Sequence, residues 1–470
     1  MSFHCFHVLR QRLVLRSMRA WPAFTSPTPV FPPAPSRALT SLRRPRPRVP
    51  TCSATPSHRG ARGLATRRSV VPDGTVHPLK ADVSPGAGAE PCATVPVDDA
   101  GRVLLKNMTL LELERWVEHD MGHKKFRARQ LWRWLYKSDK LVATFEEMTD
   151  LSKDFREMLK DTARIDAIVV DKVHESEDGT KKVTFRLDAG GVIETVLIPT
   201  EGRTTVCVSS QWGCALNCQF CFTGRTGFRR SLTQGEIVDQ VVQAKRFFEQ
   251  GDMGRVCNVV FMGEGEPAHN IDNVLRAIDV MLDTKGLDFS HNKITVSTSG
   301  LIPEIKRLAQ ESKANLAVSL HATNNELRSW LMPINRKYPV EELMQTLRDV
   351  FPRQAARQQK VFFQYVMLKG VNDSLVDAKE LLRLTAGVPC KVNLIHFNSH
   401  EGTEFEASDE GTMLAFQDFL VKKGMTVTIR KSRGDDKMMA CGQLGKLGPR
   451  QAPRMKVPGK FEHLVKARAA

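Results

Sequence analysis

From Thr204 onward the chain alternates short apolar runs with helical stretches, and this rhythm limits its fold more than any other feature. The apolar runs fall at 204–208, 257–262, 293–298, 315–320, 361–367 and 391–397, with helical patterns such as 235–248, 271–282 and 339–350 between them. Strands joined through helices pair in parallel, because a parallel pair needs a long crossover connection. Six such β/α units predict an α/β fold with a parallel sheet curved into a partial (β/α)6 barrel. No sequence repeat accompanies the rhythm.

In a parallel β/α barrel, functional residues gather at the carboxyl ends of the strands. The first strand is followed by Cys214, Cys218 and Cys221. The second ends in Gly263-Glu264-Gly265-Glu266-Pro267, the third in Ser297-Thr298-Ser299-Gly300, the fourth in Ser319-Leu320-His321, and the sixth in 393–398. Polar residues and glycines therefore collect where a ligand would lie.

Residues 103–165 read as a small N-terminal helical domain: Thr109 and Glu112 form a capping box, and helices follow at 126–136 and 151–159. Its Lys124, Lys125, Arg127, Arg129 and Arg133 interleave with Trp132, Trp134 and Tyr136, which suits contact with phosphates and bases; a solvated basic face over an aromatic core is the other reading. Residues 166–200 alternate as strands with turns at Asp178-Gly179 and Gly190-Gly191, a β connector into the barrel at 201–430. The segment 431–470 reads as a loop carrying Cys441 and then a basic tail free to move.

Composition places the charge. The chain has 470 residues and a net charge of +17, but residues 1–72 hold thirteen arginines and no acid, which leaves 56 basic against 52 acidic residues elsewhere. That leader, rich in Arg, Ser and Pro, reads as an organellar transit peptide, mitochondrial or plastid, followed by a linker at 73–102; otherwise the protein is cytoplasmic. No apolar run has membrane-spanning length. Ten cysteines without a secretory signal point to a reducing compartment and metal chemistry.

The spacing Cys214-x-x-x-Cys218-x-x-Cys221 suits a 4Fe–4S cubane, in which each thiolate takes one iron. Three ligands leave the fourth iron open to the amino and carboxylate groups of S-adenosylmethionine (SAM). A structural zinc would need a fourth ligand nearby, and the sequence offers none. Gly265 permits close backbone approach and Glu266 can pair with the SAM ammonium.

These segments, taken in order over about 103–445, resemble the RlmN-type RNA (adenine-C2) methyltransferases of the radical SAM superfamily. The resemblance rests on Phe126-Arg127-Ala128, Cys207-Val208-Ser209-Ser210-Gln211, the cysteine cluster with Phe220, Gly227-Phe228-Arg229-Arg230, Gly263 to Pro267, Ser297 to Gly300, Ser319-Leu320-His321, Arg433-Gly434-Asp435-Asp436 and Cys441-Gly442-Gln443-Leu444.

It implies a radical SAM barrel, a 4Fe–4S cluster and two SAM per turnover. Cys441 would be methylated and would pass the carbon to adenine C2, with Glu194 accepting a proton. Cys207 would release the product by forming a disulfide with Cys441. SAM contacts would come from Gly265, Glu266, Ser297, Ser319, Leu320, His321 and Asn398. Substrates would be large-subunit rRNA and tRNA, with a flavodoxin or ferredoxin as electron donor and a monomeric enzyme.

Bland readings stand beside these: Cys441 and Cys207 as packed cysteines, Glu194 as a paired core carboxylate, Asn398 as a loop amide. The rival functions are a Cfr-type carbon-8 methylase and a cluster-bearing RNA-binding protein without turnover. The chain departs from the family pattern at Glu264, where methionine is common, and at Trp212, Phe222, His396 and His400.

Overall fold

The structure is a computed structural model and describes residues 97–98, 100–249, 253–352, 359–447 and 451–464. The leader and most of the linker lie outside the described residues. Three helices lead in: α1 (Leu110–Arg115), α2 (Phe126–Tyr136) and α3 (Lys153–Thr162). Thr109 caps α1 as its spacing predicts, with the Thr109 N–H donating to Glu112 at 2.7 Å and the Glu112 N–H to Thr109 Oγ1 at 3.3 Å.

Three of the four aromatic residues of α2 are not a stacking surface; Phe126, at its start, is exposed. Trp132, Trp134 and Tyr136 are buried, whereas Lys124, Lys125, Arg129 and Arg133 are exposed. Aromatic burial competes with base stacking for the same rings, and here the core takes them.

The helices seat on the barrel through charge as well as apolar packing. Lys106 is 0% exposed; its ammonium meets Asp239 and, at 2.8 Å, Asp166. Arg246 closes the network on Asp166 at 2.8 Å and on the Leu141 carbonyl at 2.7 Å. Arg276 forks onto Glu112 at 2.9 and 2.7 Å.

One ten-stranded sheet follows. Its strands are β1 (Ile168–Glu175), β2 (Lys181–Leu187), β3 (Val192–Thr200), β4 (Arg203–Cys207), β5 (Arg255–Phe261), β6 (Ile294–Thr298), β7 (Asn315–Ser319), β8 (Val361–Met367), β9 (Cys390–His396) and β10 (Val427–Arg430). They lie in chain order; β1 to β4 pair antiparallel and β4 to β10 parallel. The connector strands thus continue the barrel sheet.

The parallel part has seven strands, where the sequence rhythm shows six. The added β10 is a four-residue edge strand with one buried position, too short and too polar to stand out. The sheet is curved. Beyond β10, the Gly434 N–H donates to Asp178 Oδ2 at 3.2 Å and the Met438 carbonyl receives Lys182 at 3.1 Å. Residues after the last strand therefore reach the β1–β2 hairpin at the opposite end of the strand order.

The described part of the tail also differs from a free basic tail. Phe461 stacks on Trp330 at 5.2 Å, and the Met455 N–H donates to Gln219 at 2.9 Å. Apolar residues between the basic ones give it something to bury.

Candidate active site

An open cavity lies at the carboxyl ends of the parallel strands. Cys214, Cys218, Cys221, Gly265, Glu266, Ser297, Ser319, His321, Asn398 and Cys441 all line it. A curved parallel sheet makes such a depression, because the strands splay at that end and the loops leave it.

The cysteines sit on a tight loop after β4. The Cys221 N–H donates to the Cys218 carbonyl at 3.1 Å, and Asn217 takes a φ of 52° to turn the chain. Gly224 lets the loop close on itself, since a Cβ there would stand 2.9 Å from the Cys218 backbone. Burial pushes Cys214 up to about 12 and raises Cys218 and Cys221 as well. Buried thiols of this kind become thiolates when a metal supplies the compensating charge. Among the described residues no group of three His, Cys, Asp or Glu closes on a single-ion site. Spread thiols on one cavity wall instead suit a cubane, where each binds a different iron.

The glycine-rich loop after β5 is built for close approach. Gly265 has a φ of 96°, and a Cβ there would lie 2.4 Å from the Gln211 side chain. The Glu266 N–H donates to Gln211 Oε1 at 2.9 Å. Glu266, 2% exposed, accepts the Ala268 N–H at 3.0 Å and the Ser299 N–H at 2.8 Å. Burial raises its pKa against those hydrogen bonds.

His321 has a φ of 56°. Its Nδ1 accepts the Val366 N–H at 3.0 Å, so the neutral ring carries its proton on Nε2. Burial, with Arg328 adding to it, holds the imidazole at about 3, so it stays neutral at physiological pH. Phe220, between two cluster cysteines, sets its ring against His321 at 4.7 Å.

Leu320 is placed differently. Its side chain lies in the core, 0% exposed and off the cavity, because successive residues at a strand end alternate faces. What it offers is backbone: its N–H donates to Gln364 at 3.0 Å and its carbonyl receives Arg328 at 3.1 Å. Asn398 lines the cavity, but its amide donates to the Cys441 carbonyl at 3.0 Å and its oxygen meets Ser432.

Cys441 is exposed and Cys207 buried, and both are free thiols. Cys207 packs with Val196, Met439 and Leu444. Burial, with a smaller contribution from nearby Cys441, pushes its thiol up to about 12. Glu194 on β3 is 4% exposed, pairs with Lys182 at 3.3 Å and accepts the Gly445 N–H at 2.9 Å. The loop around Cys441 is thus gripped from several sides. The Phe222 N–H donates to the Gly442 carbonyl at 2.7 Å, and Thr223 Oγ1 to the Leu444 carbonyl at 2.7 Å.

Two residues absent from the sequence reading stand out. Lys182 pairs with Glu194 as a diagonal neighbour: Thr184 is opposite Glu194 in the β2–β3 ladder, and Lys182 is two residues along the same face. The hairpin turns Asp178-Gly179 and Gly190-Gly191 could have given that register. Arg328 is 0% exposed and donates to the carbonyls of Leu320, Ser299 and Ser319 and to Asn335, at 2.8–3.1 Å. It ties together the ends of β6 and β7. No local pattern marks it, because a buried guanidinium reads as a surface one.

The profile of the Radical SAM superfamily matches residues 208–382, and that of the ribosomal RNA large subunit methyltransferase N-terminal domain matches 103–165. The dual-specificity RNA methyltransferase RlmN of Syntrophobacter fumaroxidans is 48% identical over 342 residues, covering 73% of this chain and 98% of that protein. The RlmN of Geobacter sulfurreducens is 48% identical over 344 residues, covering 73% of this chain and 92% of that protein. A crystal structure of a radical SAM methyltransferase from Sphaerobacter thermophilus superposes with a TM-score of 0.68 at 42% identity, over 73% of this chain and 98% of that one. With relatives 48% identical over nearly their whole length and both family profiles matched in order, the chain belongs to the RlmN family of radical SAM RNA methyltransferases.

Proposed function

We propose that this protein methylates carbon 2 of adenosine in large-subunit rRNA and tRNA, carrying the methyl carbon on Cys441. The observation that supports this is the meeting of two cysteine sets on one cavity: Cys214, Cys218 and Cys221 on the loop after β4, and Cys441 held opposite by Asn398, with Cys207 packed behind.

Adenine C2 is electron-poor and does not attack a sulfonium methyl, so its carbon must arrive through a carrier. Cys214, Cys218 and Cys221 would hold a 4Fe–4S cluster, which when bound would supply one-electron reduction of the SAM sulfonium, with two SAM consumed per turnover. Glu266, its carboxylate held by two N–H groups, pairs with the SAM ammonium on the cavity side. Gly265 gives the backbone room to approach, and Ser297, Ser319, His321 and Asn398 supply polar edges. A neutral His321 can only donate from Nε2, which suits an acceptor on SAM.

Cys441 carries the methyl group and delivers its carbon to the base. Glu194 takes the proton released from the base carbon. The Cys207 thiolate then attacks the Cys441 sulfur, and the sulfur–carbon bond breaks with its electron pair going to the departing carbon. A proton from solvent completes the methyl group, and the Cys207–Cys441 disulfide is left to be reduced before the next cycle. Residues 103–165 hold the RNA through phosphate contacts from Lys124, Lys125, Arg127, Arg129 and Arg133 rather than through stacking. A flavodoxin or ferredoxin donates electrons to the monomer. The Arg-rich leader directs it to an organelle; among the described residues no helix is long and apolar enough to cross a membrane.

The test is anaerobic turnover with SAM, reductant and transcripts of both RNAs, read by nucleoside mass spectrometry. Deoxyadenosine together with 2-methyladenosine is the expected product pair. Deoxyadenosine with 8-methyladenosine would reassign the target carbon. RNA binding that survives Cys441→Ala, with no deoxyadenosine from the wild type, would make the protein a binding module.

A further inference from the structure

Glu264, the departure within the glycine-rich loop, lies at the back of the site with no role in the chemistry above. It is 2% exposed and Glu194 is 4% exposed. Glu264 Oε1 accepts the Glu194 N–H at 2.9 Å. Glu194 Oε2 accepts the Gly445 N–H at 2.9 Å, and a Cβ on Gly445 would stand 3.6 Å from Glu264 Oε2. Both carboxyls therefore converge on Gly445, four residues beyond Cys441. One ammonium, Lys182, reaches the pair, at 3.3 Å from Glu194.

Two buried carboxyls that share one cation resist ionising together, because the N–H groups of Glu194 and Gly213 that reach Glu264 do not replace water or a second cation. The geometry points to a carboxyl pair holding one proton, carried by Glu264, so that Glu264 is the positioning residue that leaves Lys182 to Glu194 and seats the Cys441 loop. Burial, and then the charge of Glu194, push Glu264 up to about 8, in keeping with a neutral acid at pH 7. The charged or titratable groups acting on it are Glu194 from β3 and Lys182 from β2, with Cys214 near it from the cluster loop. Its other contacts are the Gly213 backbone at the carboxyl, the Ser209 hydroxyl, which accepts the Glu264 N–H at 2.9 Å, and the Ser210 and Gln211 N–H groups, which donate to its main-chain carbonyl.

The inference rests on the reading of Glu194 as proton acceptor. In that step the C–H bond breaks, the electron pair stays on the substrate, and the proton goes to Glu194. Glu264 keeps its own proton throughout.

The test compares the full chain with Glu264→Gln, which keeps an acceptor oxygen and cannot ionise. Urea unfolding is measured from pH 5 to 9. A folded-state acid with a raised pKa loses stability as pH rises toward that pKa, so the wild type weakens relative to E264Q up to about pH 8 and runs parallel to it above. The expected divergence in the unfolding constant is up to about tenfold per pH unit. Single-turnover methylation is followed over the same range. The wild type loses activity above about pH 8; E264Q keeps its activity within about threefold at pH 7 and lacks that alkaline limb.

A stability difference independent of pH, or an alkaline limb unchanged in E264Q, overturns the proposal. Should E264Q not accumulate folded, Glu264→Met, uncharged and of similar length, gives the same stability comparison. If the wild type makes no methyladenosine, the functional reading fails, while the unfolding comparison still decides whether Glu264 holds the proton.

Discussion

Replacing Lys106 with methionine tests how the helical domain is held to the barrel. The side chain keeps its length and loses its ammonium, which leaves Asp239 fully buried with no cation beside it. Breaking a buried pair from one side costs about 3–5 kcal/mol. The loss has a ceiling, because Asp239 can take up a proton, a tendency that burial already favours against the pull of Lys106. Protonating an aspartate of ordinary pKa costs about 4 kcal/mol at pH 7 and about 1.5 kcal/mol at pH 5. The deficit should therefore be near 4 kcal/mol at pH 7 and shrink as the solution is acidified.

The remaining partners set the control. Asp239 Oδ2 accepts the Ala167 N–H at 2.8 Å and the Ile168 N–H at 3.2 Å, contacts that an asparagine oxygen can keep. The double variant Lys106→Met/Asp239→Asn should recover at least about 2 kcal/mol of the loss through coupling. Urea unfolding followed by the fluorescence of Trp132 and Trp134 reports on this domain. A cost below about 1 kcal/mol at pH 7, equal costs at pH 5 and 7, or strict additivity in the double variant would refute the reasoning.

Other changes probe the site. Gly265→Ala forces a side chain into Gln211 at a φ of 96°, and should weaken SAM binding by about fivefold or more for a strain of about 1–3 kcal/mol; equilibrium dialysis with labelled SAM decides it. Asn398→Ala frees the Cys441 carbonyl, and a lost hydrogen bond of about 1 kcal/mol should speed iodoacetamide alkylation of Cys441 about fivefold; an unchanged rate would show that the other contacts hold the loop alone. Exchanging Lys124, Lys125 and Arg133 for glutamine should lower RNA affinity and flatten its salt dependence, while Trp132→Phe should change stability and leave RNA affinity intact. Equal loss of RNA binding in both would return the aromatic residues to the interface.

The parts of the fold that were legible are those with a local signature. Apolar runs marked six of the seven parallel strands, and Thr109 with Glu112 marked a helix start. The cysteine spacing marked a loop whose three thiols line the cavity. What escaped depends on neighbours distant in sequence. Lys182 acquires its meaning only when β2 is paired with β3, and Arg328 only when β6 and β7 present their carbonyls to it. The burial of Trp132 could not be separated from a stacking role, since both leave the same interleaved pattern. Trp212, an oddity in sequence, fits because Gly191 has no side chain: a Cβ there would fall 2.5 Å from the indole ring.

The contact between the first hairpin and the segment after β10 makes the site depend on an outlying register. Side chains alternate with a period of two along a strand, so a one-residue slip of β2 against β3 would turn Lys182 away from Glu194. The same slip would pull Lys182 from the Met438 carbonyl and move Asp178 off the Gly434 N–H. Cys441 lies three residues past Met438, so the misregistered hairpin would remove one of the anchors of its loop and leave those from Asn398, Phe222 and Thr223. Lesions in a hairpin about 260 residues earlier in the chain would thus disturb the Cys441 loop while leaving the three-cysteine loop and the glycine-rich loop intact.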